Sequence, residues 1–340
     1  MISKVEILKE KILSDIKSGR LSSGSPLPSR HQFMTRYGCA RGSIDSAIAD
    51  LAKGGYVYSR QGKGTFVADL KAGKGAEKFY VVGHFSHTGS AERSWTSSPL
   101  ASDIQRYADC YVFHREEMKI NLGKIIHPSS AVIWVRPSYS DYMLMNYLEH
   151  AGVPQLLVGR NFGSYDHVRT DARAGIEQGL EWLVEEAGKE LVYISESNNP
   201  DLPFIAERHI AFYESCVDLG IQLCKEWLHI KPFNDMGLEL NQIVDSIFGG
   251  PKKPKAIFLS FIAAALPLVT LVESKGYKLG EDFKMLLFDQ ELWLKERAGI
   301  GMIRQDWKTM DRLALEWALG KIKGDKKEYK KKVKPEFITG

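Results

Sequence analysis

The sequence predicts an N-terminal winged helix-turn-helix (α+β) joined to a two-lobed α/β body. Three observations predict it. Between Leu27 and Val67 the signals for a short helix, a turn, a second helix and a glycine-tipped β-hairpin follow in order. Charge is divided along the chain: of 46 basic and 42 acidic residues, 14 and 7 lie in residues 1–78, leaving 32 and 35 beyond them. A net +7 unit on a mildly acidic body is the footprint of nucleic-acid binding, although a solvated basic face carries the same charge. From about residue 79, short apolar strands alternate with helical patterns.

In the first unit, Val5, Leu8, Ile12, Leu13 and Ile16 recur at helical spacing and predict a helix over 4–18 ended by Gly19. LSSGSPLP reads as a loop. Ser29 is placed to cap a second helix with Phe33, Met34 and Tyr37 inward and Gly38 as its stop. A third helix starts near Arg41, buries Ile44, Ala47, Ile48 and Leu51, and stops at Gly54 and Gly55. Tyr56–Arg60 and Thr65–Ala68 read as strands joined across Gln61–Gly64.

A recognition helix meets base edges in the major groove with its N-terminal residues. Those are Arg41, Gly42, Ser43, Asp45 and Ser46. Arg41 can take guanine bidentately or clamp a phosphate; Ser43 and the free amides suit a phosphate oxygen. Gly42 permits close backbone approach. Asp45 either accepts from a cytosine amino group or pairs with a basic neighbour. Lys63, between Gly62 and Gly64 at the wing tip, projects toward the DNA backbone or minor groove. Ser29, Arg30 and His31, at the start of the second helix, complete the set, the last two as phosphate candidates.

LPSRHQF…YGCARGSIDSAIADLAKGGYVYSRQGKGTFV resembles the winged helix-turn-helix of GntR-type bacterial regulators over nearly all of residues 3–68. Two positions depart from that pattern. Ala40 stands where the family has a capping Ser or Thr, forfeiting about 1 kcal/mol, and His31 replaces a common arginine.

ADLKAGKGAEK, at Ala68–Lys78, reads as a linker, which sets expected boundaries of 1–68, 69–78 and 79–340. Strands are expected at Phe79–Phe85, Tyr111–Phe113, Ala131–Val135, Gln155–Val158, Leu191–Ser195, Ala256–Ser260, Lys284–Phe288 and Ile300–Arg304. Helical patterns include Tyr142–Ala151, Ala174–Ala187, Glu207–Leu219 and Leu266–Lys275. Wholly apolar strands between helices imply parallel sheets covered on both faces, with ligand at the strands' C-terminal ends. The tail GDKKEYKKKVKPEF reads as a solvated terminus with a strand-like end.

The order AGVPQLLVGR, VRTDARAGIEQGLEWL, ERHIAFYESCVDLGI, KPKAIFLS, KMLLFDQE and GMIRQDW resembles, more loosely, the effector core of LacI and galactose repressors, a periplasmic-binding-protein-like fold. That resemblance implies Arg208 and Asp289 as partners of ligand hydroxyls and Trp307 as a cover over the ligand. Bidentate charges and a flat ring suit a sugar. On the residues alone, Arg208 is equally a salt-bridged arginine and Trp307 a core residue. The Asn-Asp pair of the pattern is Phe261-Ile262 here, the aspartate before Arg160 is Gly159, and Ser86–Cys110 does not follow the pattern.

No run approaches the roughly 18 apolar residues that span a bilayer, and MISKVEILKEKI lacks a signal-peptide core, so no membrane partner is expected. The four cysteines lack metal or redox spacing and suit reduced thiols in the cytoplasm. Nucleophile elbows, Walker loops, dinucleotide fingerprints and metal clusters are all missing, and His84 and His87 do not have the i,i+4 spacing of a helical metal pair. Neither an enzyme nor a resident cofactor is expected. The expectation is a homodimeric repressor of a double-stranded DNA operator, modulated by a sugar-like small molecule. The alternatives are a DNA-binding dimer whose body has lost sensing and, from another class, a sugar- or nucleotide-processing enzyme.

Overall fold

The computed structural model describes residues 4–17, 20–22, 24–53, 56–60, 62–68, 75–83, 99–199 and 201–340. The expected helix stops at Gly19, Gly54 and Gly55, wing residue Gln61, linker positions 69–74, and residues 84–98 with His84, Phe85, Ser86 and His87 lie outside the described residues.

Three helices open the chain: α1 (Lys4–Lys17), α2 (Arg30–Tyr37) and α3 (Arg41–Lys53). Leu8, Ile12 and Ile16 of α1, Phe33 of α2, and Ile44, Ala47, Ile48 and Leu51 of α3 close on one another in a single core. Met34, expected inward, is exposed; the i,i+4 pair Phe33 and Tyr37 holds the inner face, with rings stacked 5.9 Å apart. Ser29 caps α2 through a full capping box, its hydroxyl accepting from the Gln32 amide, and Gly38 ends the helix at φ 62°.

The hairpin follows as β1 (Val57–Arg60) and β2 (Gly64–Val67), antiparallel, with Val57 opposite Val67. The LSSGSPLP loop is more than a connection. The Leu27 amide donates to the Thr65 carbonyl at 2.7 Å and the Val67 amide to the Ser25 carbonyl at 2.9 Å, so this loop edges the wing.

Asp15 is the polar anchor of the three helices. Its carboxylate, 7% exposed, accepts from the Tyr37 hydroxyl at 3.0 Å and pairs with Arg20 at 3.0 Å and Arg36 at 3.7 Å. Burial, then the bond to Asp15, raises the Tyr37 phenol above its ordinary value. Asp15→Ala is expected to cost about 2–3 kcal/mol in urea unfolding, because charged hydrogen bonds are lost and their donors left behind. An unchanged midpoint would dismiss the anchor.

By internal contacts the chain forms two compact units, residues 1–134 with 143–155 and 315–328, and residues 135–142 with 156–314 and 329–340. Beyond the winged helix, the first holds β3 (Lys78–Gly83), α4 (Pro99–Ile104), β4 (Asp109–His114), α5 (Arg115–Ile125), most of β5 (Ser130–Val135) and most of α6 (Tyr142–His150). The second holds most of β6 (Gln155–Val158), then β7 (Asp166–Thr170), α7 (Ala172–Ala187), β8 (Leu191–Glu196), α8 (Phe204–Leu219) and β9 (Leu228–Lys231). It continues through α9 (Met236–Gly249), β10 (Ala256–Leu259), α10 (Ala265–Ser274), β11 (Lys284–Phe288), β12 (Ile300–Arg304) and the start of α11 (Trp307–Ile322) to β13 (Lys330–Val333) and β14 (Glu336–Thr339).

Two six-stranded sheets result, ordered β13-β7-β6-β5-β3-β4 and β14-β12-β11-β10-β8-β9. The pairings of β8 to β12 are parallel; β14 alone joins that sheet antiparallel, with Arg304 opposite Glu336. Central strands β10 and β11 are apolar on both faces, with Phe258 and Leu286 on one core and Ile257 and Leu287 on the other. The lysine-rich tail is therefore not a free terminus. Val333 is buried, and β13 and β14 supply an edge strand to each sheet, where exposed lysines such as Lys331 suit an edge. Polar β7 and β9 also lie on strands the apolar pattern did not announce. Among the described residues, no helix is long and apolar enough to cross a membrane.

Burial lowers the pKa of His167, of His209 and of His229, the last to about 4. Above about pH 6.5 these groups are neutral folded or unfolded. Below it the unfolded chain takes up protons that the folded chain refuses. Stability should thus fall as pH drops from about 6.5 to about 4. Urea midpoints across that window check it, and His229→Leu should flatten part of the slope.

Candidate functional site

The first candidate surface lies on the winged helix. Ala40 leaves the start of α3 without a capping side chain, but its carbonyl accepts from the Ser43 and Ile44 amides and starts the helix. Arg41 stands at the first position, 77% exposed, with the Asp45 carboxylate at 4.0 Å. Gly42 and Ser46 are exposed and Ser43 half-buried on the same N-terminal turns. Asp45 is engaged: Arg30 Nε donates to its Oδ1 at 3.0 Å. Arg30 also donates from Nη1 to the Thr65 hydroxyl at 3.2 Å, so one guanidinium ties α2, α3 and β2 together. Of the two roles open to Asp45 from sequence, the structure shows pairing with basic neighbours. Ser29 spends its hydroxyl on the helix cap, while His31 is exposed beside it.

At the wing tip, Gly62 at φ 74° and Gly64 at φ 105° adopt left-handed backbone that suits glycine, and Lys63 is exposed between them. Tyr58 and Phe66 stack across the hairpin at 5.8 Å, and the exposed Arg60 guanidinium lies 5.3 Å from the Tyr58 ring. Arg60 was not singled out from sequence; its place beside the GKG tip was the available signal.

The second candidate site is built from residues that follow parallel strands, in keeping with the strand-end rule. Arg136 follows β5, Gly159 and Arg160 follow β6, Ser260 follows β10, Asp289 follows β11 and Gln305 follows β12. Arg208 reaches them from α8. Its side chain is 6% exposed; it donates from Nη2 to Asp289 Oδ2 at 2.8 Å and from Nη1 to the Ser260 carbonyl at 2.5 Å. The Phe288 and Phe204 rings lie 3.7 and 4.3 Å from its guanidinium. Asp289 holds φ 82°, a conformation that Asp tolerates better than most residues, and accepts from Gln305 on its other oxygen. Gln305 in turn accepts from the Thr170 hydroxyl at 2.6 Å.

Trp307 is half-buried, not core. The Arg136 guanidinium lies over its ring at 4.1 Å, and a Cβ at Gly159 would fall 2.7 Å from the ring edge. The aspartate that the resemblance implied at position 159 therefore has no room. Phe261 stacks with Phe233 at 6.1 Å and Ile262 opens the short turn before α10; both pack against the core below. Behind the pair, Ser260 Oγ donates to Ser195 Oγ at 2.6 Å and the Tyr193 hydroxyl to Ser260 Oγ at 3.2 Å.

The electrostatics are lopsided. Burial pushes the Arg208 pKa down, against the pull of Asp289. Burial pushes Asp289 up, but the Arg208 charge and the bonds from Gln305 and Arg208 leave it below its ordinary value. Arg160 falls to about 9, through burial first and then through Arg136 and Arg208. Sequence reasoning missed Arg136, Arg160, Gln305 and Phe204; their positions directly after apolar strands, or at a helix start, were the signal for them. Among the described residues, no group of three or more His, Cys, Asp or Glu is placed to hold a metal ion.

One chain thus joins a winged helix-turn-helix to a two-sheet α/β domain. Residues 4–67 match the family described as bacterial regulatory proteins, gntR family. A probable fructoselysine utilization operon transcriptional repressor of Escherichia coli K12 is 36% identical over 205 residues, 56% of this chain and 81% of that protein. The chain belongs to the gntR family. It spans only 39% of another relative, the uncharacterized HTH-type regulator YurK of Bacillus subtilis, at 42% identity over 97 residues and 28% of this chain. A LacI-family regulatory protein from Chloroflexus aggregans shares the fold at TM-score 0.62 and 14% identity, covering 77% of this chain and 97% of its own. The transcriptional regulator CelR in complex with cellobiose does so at 0.60 and 16%, covering 92% of this chain and 99% of its own.

Proposed function

We propose that the protein is a homodimeric transcriptional repressor whose operator affinity is set by a small sugar-like effector. Residues 1–68 bind DNA, the segment expected at 69–78 links them as far as the start of β3 at Lys78, and the remainder to 340 senses and dimerises. Arg41 reads a base edge, Gly42 lets the backbone approach, and Ser43 and Ser46 meet the flanking phosphates. Lys63 and Gly64 bring the wing to the DNA backbone, with His31 at its phosphates. Ser29 and Arg30 hold the helices that present these groups. Asp45 sets the reach of Arg30 and Arg41.

The observation that carries the reading is the Arg208–Asp289 pair with Gln305, at the ends of parallel strands in the same chain as an exposed recognition helix. Arg208 donates to ligand hydroxyls, Asp289 accepts from them, and Trp307 offers a flat face to C–H groups. The cellobiose held by a regulator of this fold favours a sugar. An effector acts only through unequal affinity for DNA-bound and free protein. Titrating sugars and their derivatives against operator binding tests it: at least one compound should shift operator affinity 5-fold or more, as a coupling of about 1 kcal/mol requires. Indifference to the whole series would leave a constitutive DNA binder.

A further inference from the structure

The strand-end cluster carries more positive charge than a neutral sugar needs. Arg208 is answered by Asp289, and that carboxylate is already shared with Gln305. Arg160 feels the Asp289 charge, but among the described residues it makes no ion pair with a carboxylate. Its Nη1 donates to the carbonyl of neighbouring Gly159, its guanidinium lies 4.4 Å from the Phe204 ring, and its Nε is out of solvent with no acceptor. Glu207, on α8 one position before Arg208, is taken by Arg169. Arg136, beside Gly159, adds a positive charge that helps depress both Arg160 and Asp289.

A buried guanidinium N–H without an acceptor is costly. With Nη1 turned to the backbone, the edge left on Arg160 is Nε with Nη2, the fork that takes a carboxylate or phosphate through two parallel bonds. Apolar Phe261 and Ile262, where a polar pair was expected, remove two groups that would serve neutral hydroxyls.

We infer that the effector is an anion, a sugar phosphate or sugar carboxylate whose charged group is held by Arg160 while Arg208 and Asp289 meet its hydroxyls. This rests on the effector reading above. The phosphate and carboxylate forms share one oxyanion chemistry, and the test separates them.

The probe is inorganic phosphate on the full chain, by thermal unfolding at constant ionic strength against chloride. Tens of millimolar phosphate should raise Tm by about 2–4 °C, through binding to the folded state alone. Arg160→Gln should lose at least half of that rise, and Arg160→Lys, which keeps the charge without the fork, should fall between. No rise in the wild type, or an equal rise in Arg160→Gln, overturns the anion site. A second arm measures operator affinity with glucose, glucose 6-phosphate and gluconate. A shift by either charged compound and not by glucose supports the inference and names the oxyanion. A shift by glucose, with no phosphate-dependent rise, keeps the effector reading and defeats the anion. A phosphate-dependent rise with no effect of any effector candidate on operator binding keeps the anion site and defeats the effector reading.

Discussion

Arg208→Met should lower the free energy of unfolding by about 3–5 kcal/mol, the range for breaking a buried ion pair by removing one partner. The arginine side chain is 6% exposed and Asp289 25%, so the stranded carboxylate keeps some solvent and the effect should lie toward the lower end. Gln305 also continues to donate to Asp289, which softens the loss. A second substitution tells an ion pair from lost packing. Asp289→Asn removes the charge and tolerates φ 82°. In the Arg208→Met background it should recover more than half the loss. Urea unfolding followed by circular dichroism measures all three variants. Strictly additive losses would show that the two residues do not act as a pair. Acid has the same target. Because Asp289 is held below its ordinary pKa, its contribution is present above about pH 4 and is lost as pH falls through the folded value.

Arg41→Ala should weaken operator binding by about 1–3 kcal/mol, roughly 5- to 150-fold, and relax selectivity at one base pair. The fold should not respond, since the side chain is 77% exposed and its ion pair with Asp45, itself exposed, is long at 4.0 Å. Lys63→Ala should behave differently. A wing-tip lysine against phosphate carries no sequence information, so all DNA sequences should weaken alike and the salt slope should fall by about one. Fluorescence anisotropy on operator and scrambled duplexes, from about 50 to 200 mM salt, separates the two patterns. Equal, sequence-blind losses would demote Arg41 to a phosphate clamp. Unchanged affinity in both variants would remove this face from the DNA interface.

The winged helix was legible because its signals are local. Ser29 with Gln32 makes a capping box, Gly38 stops a helix, and two glycines flank Lys63; each is readable within a few residues. Met34 was misplaced because two adjacent apolar residues on a short helix look alike in sequence, and only packing against α1 and α3 chose Phe33. In the body, the apolar strands appeared close to their expected places, and Gln155–Val158, Lys284–Phe288 and Ile300–Arg304 match to the residue. The polar strands did not. Lys330–Val333 became an edge by pairing with Asp166–Thr170, a partner more than 150 residues away, which no local pattern encodes.

The candidate ligand site divides in the same way. Arg208, Asp289 and Trp307 came from motif resemblance, and the first two are in contact. Gly159 shows the limit of that method. As a missing aspartate it looked like a lost contact, but beside the Trp307 ring it is the residue that fits. Arg160 and Arg136 drew no notice as single letters, because what distinguishes them is the nearness of their charges and the burial of Arg160.

By itself the sequence determined the classes of element and the DNA-binding end of the molecule, since periodicity, capping and turn chemistry act over a few residues. The tertiary structure alone decided which distant charges meet, because the pKa of Arg160 and the partner of Arg208 depend on burial and on groups brought together from separate strands.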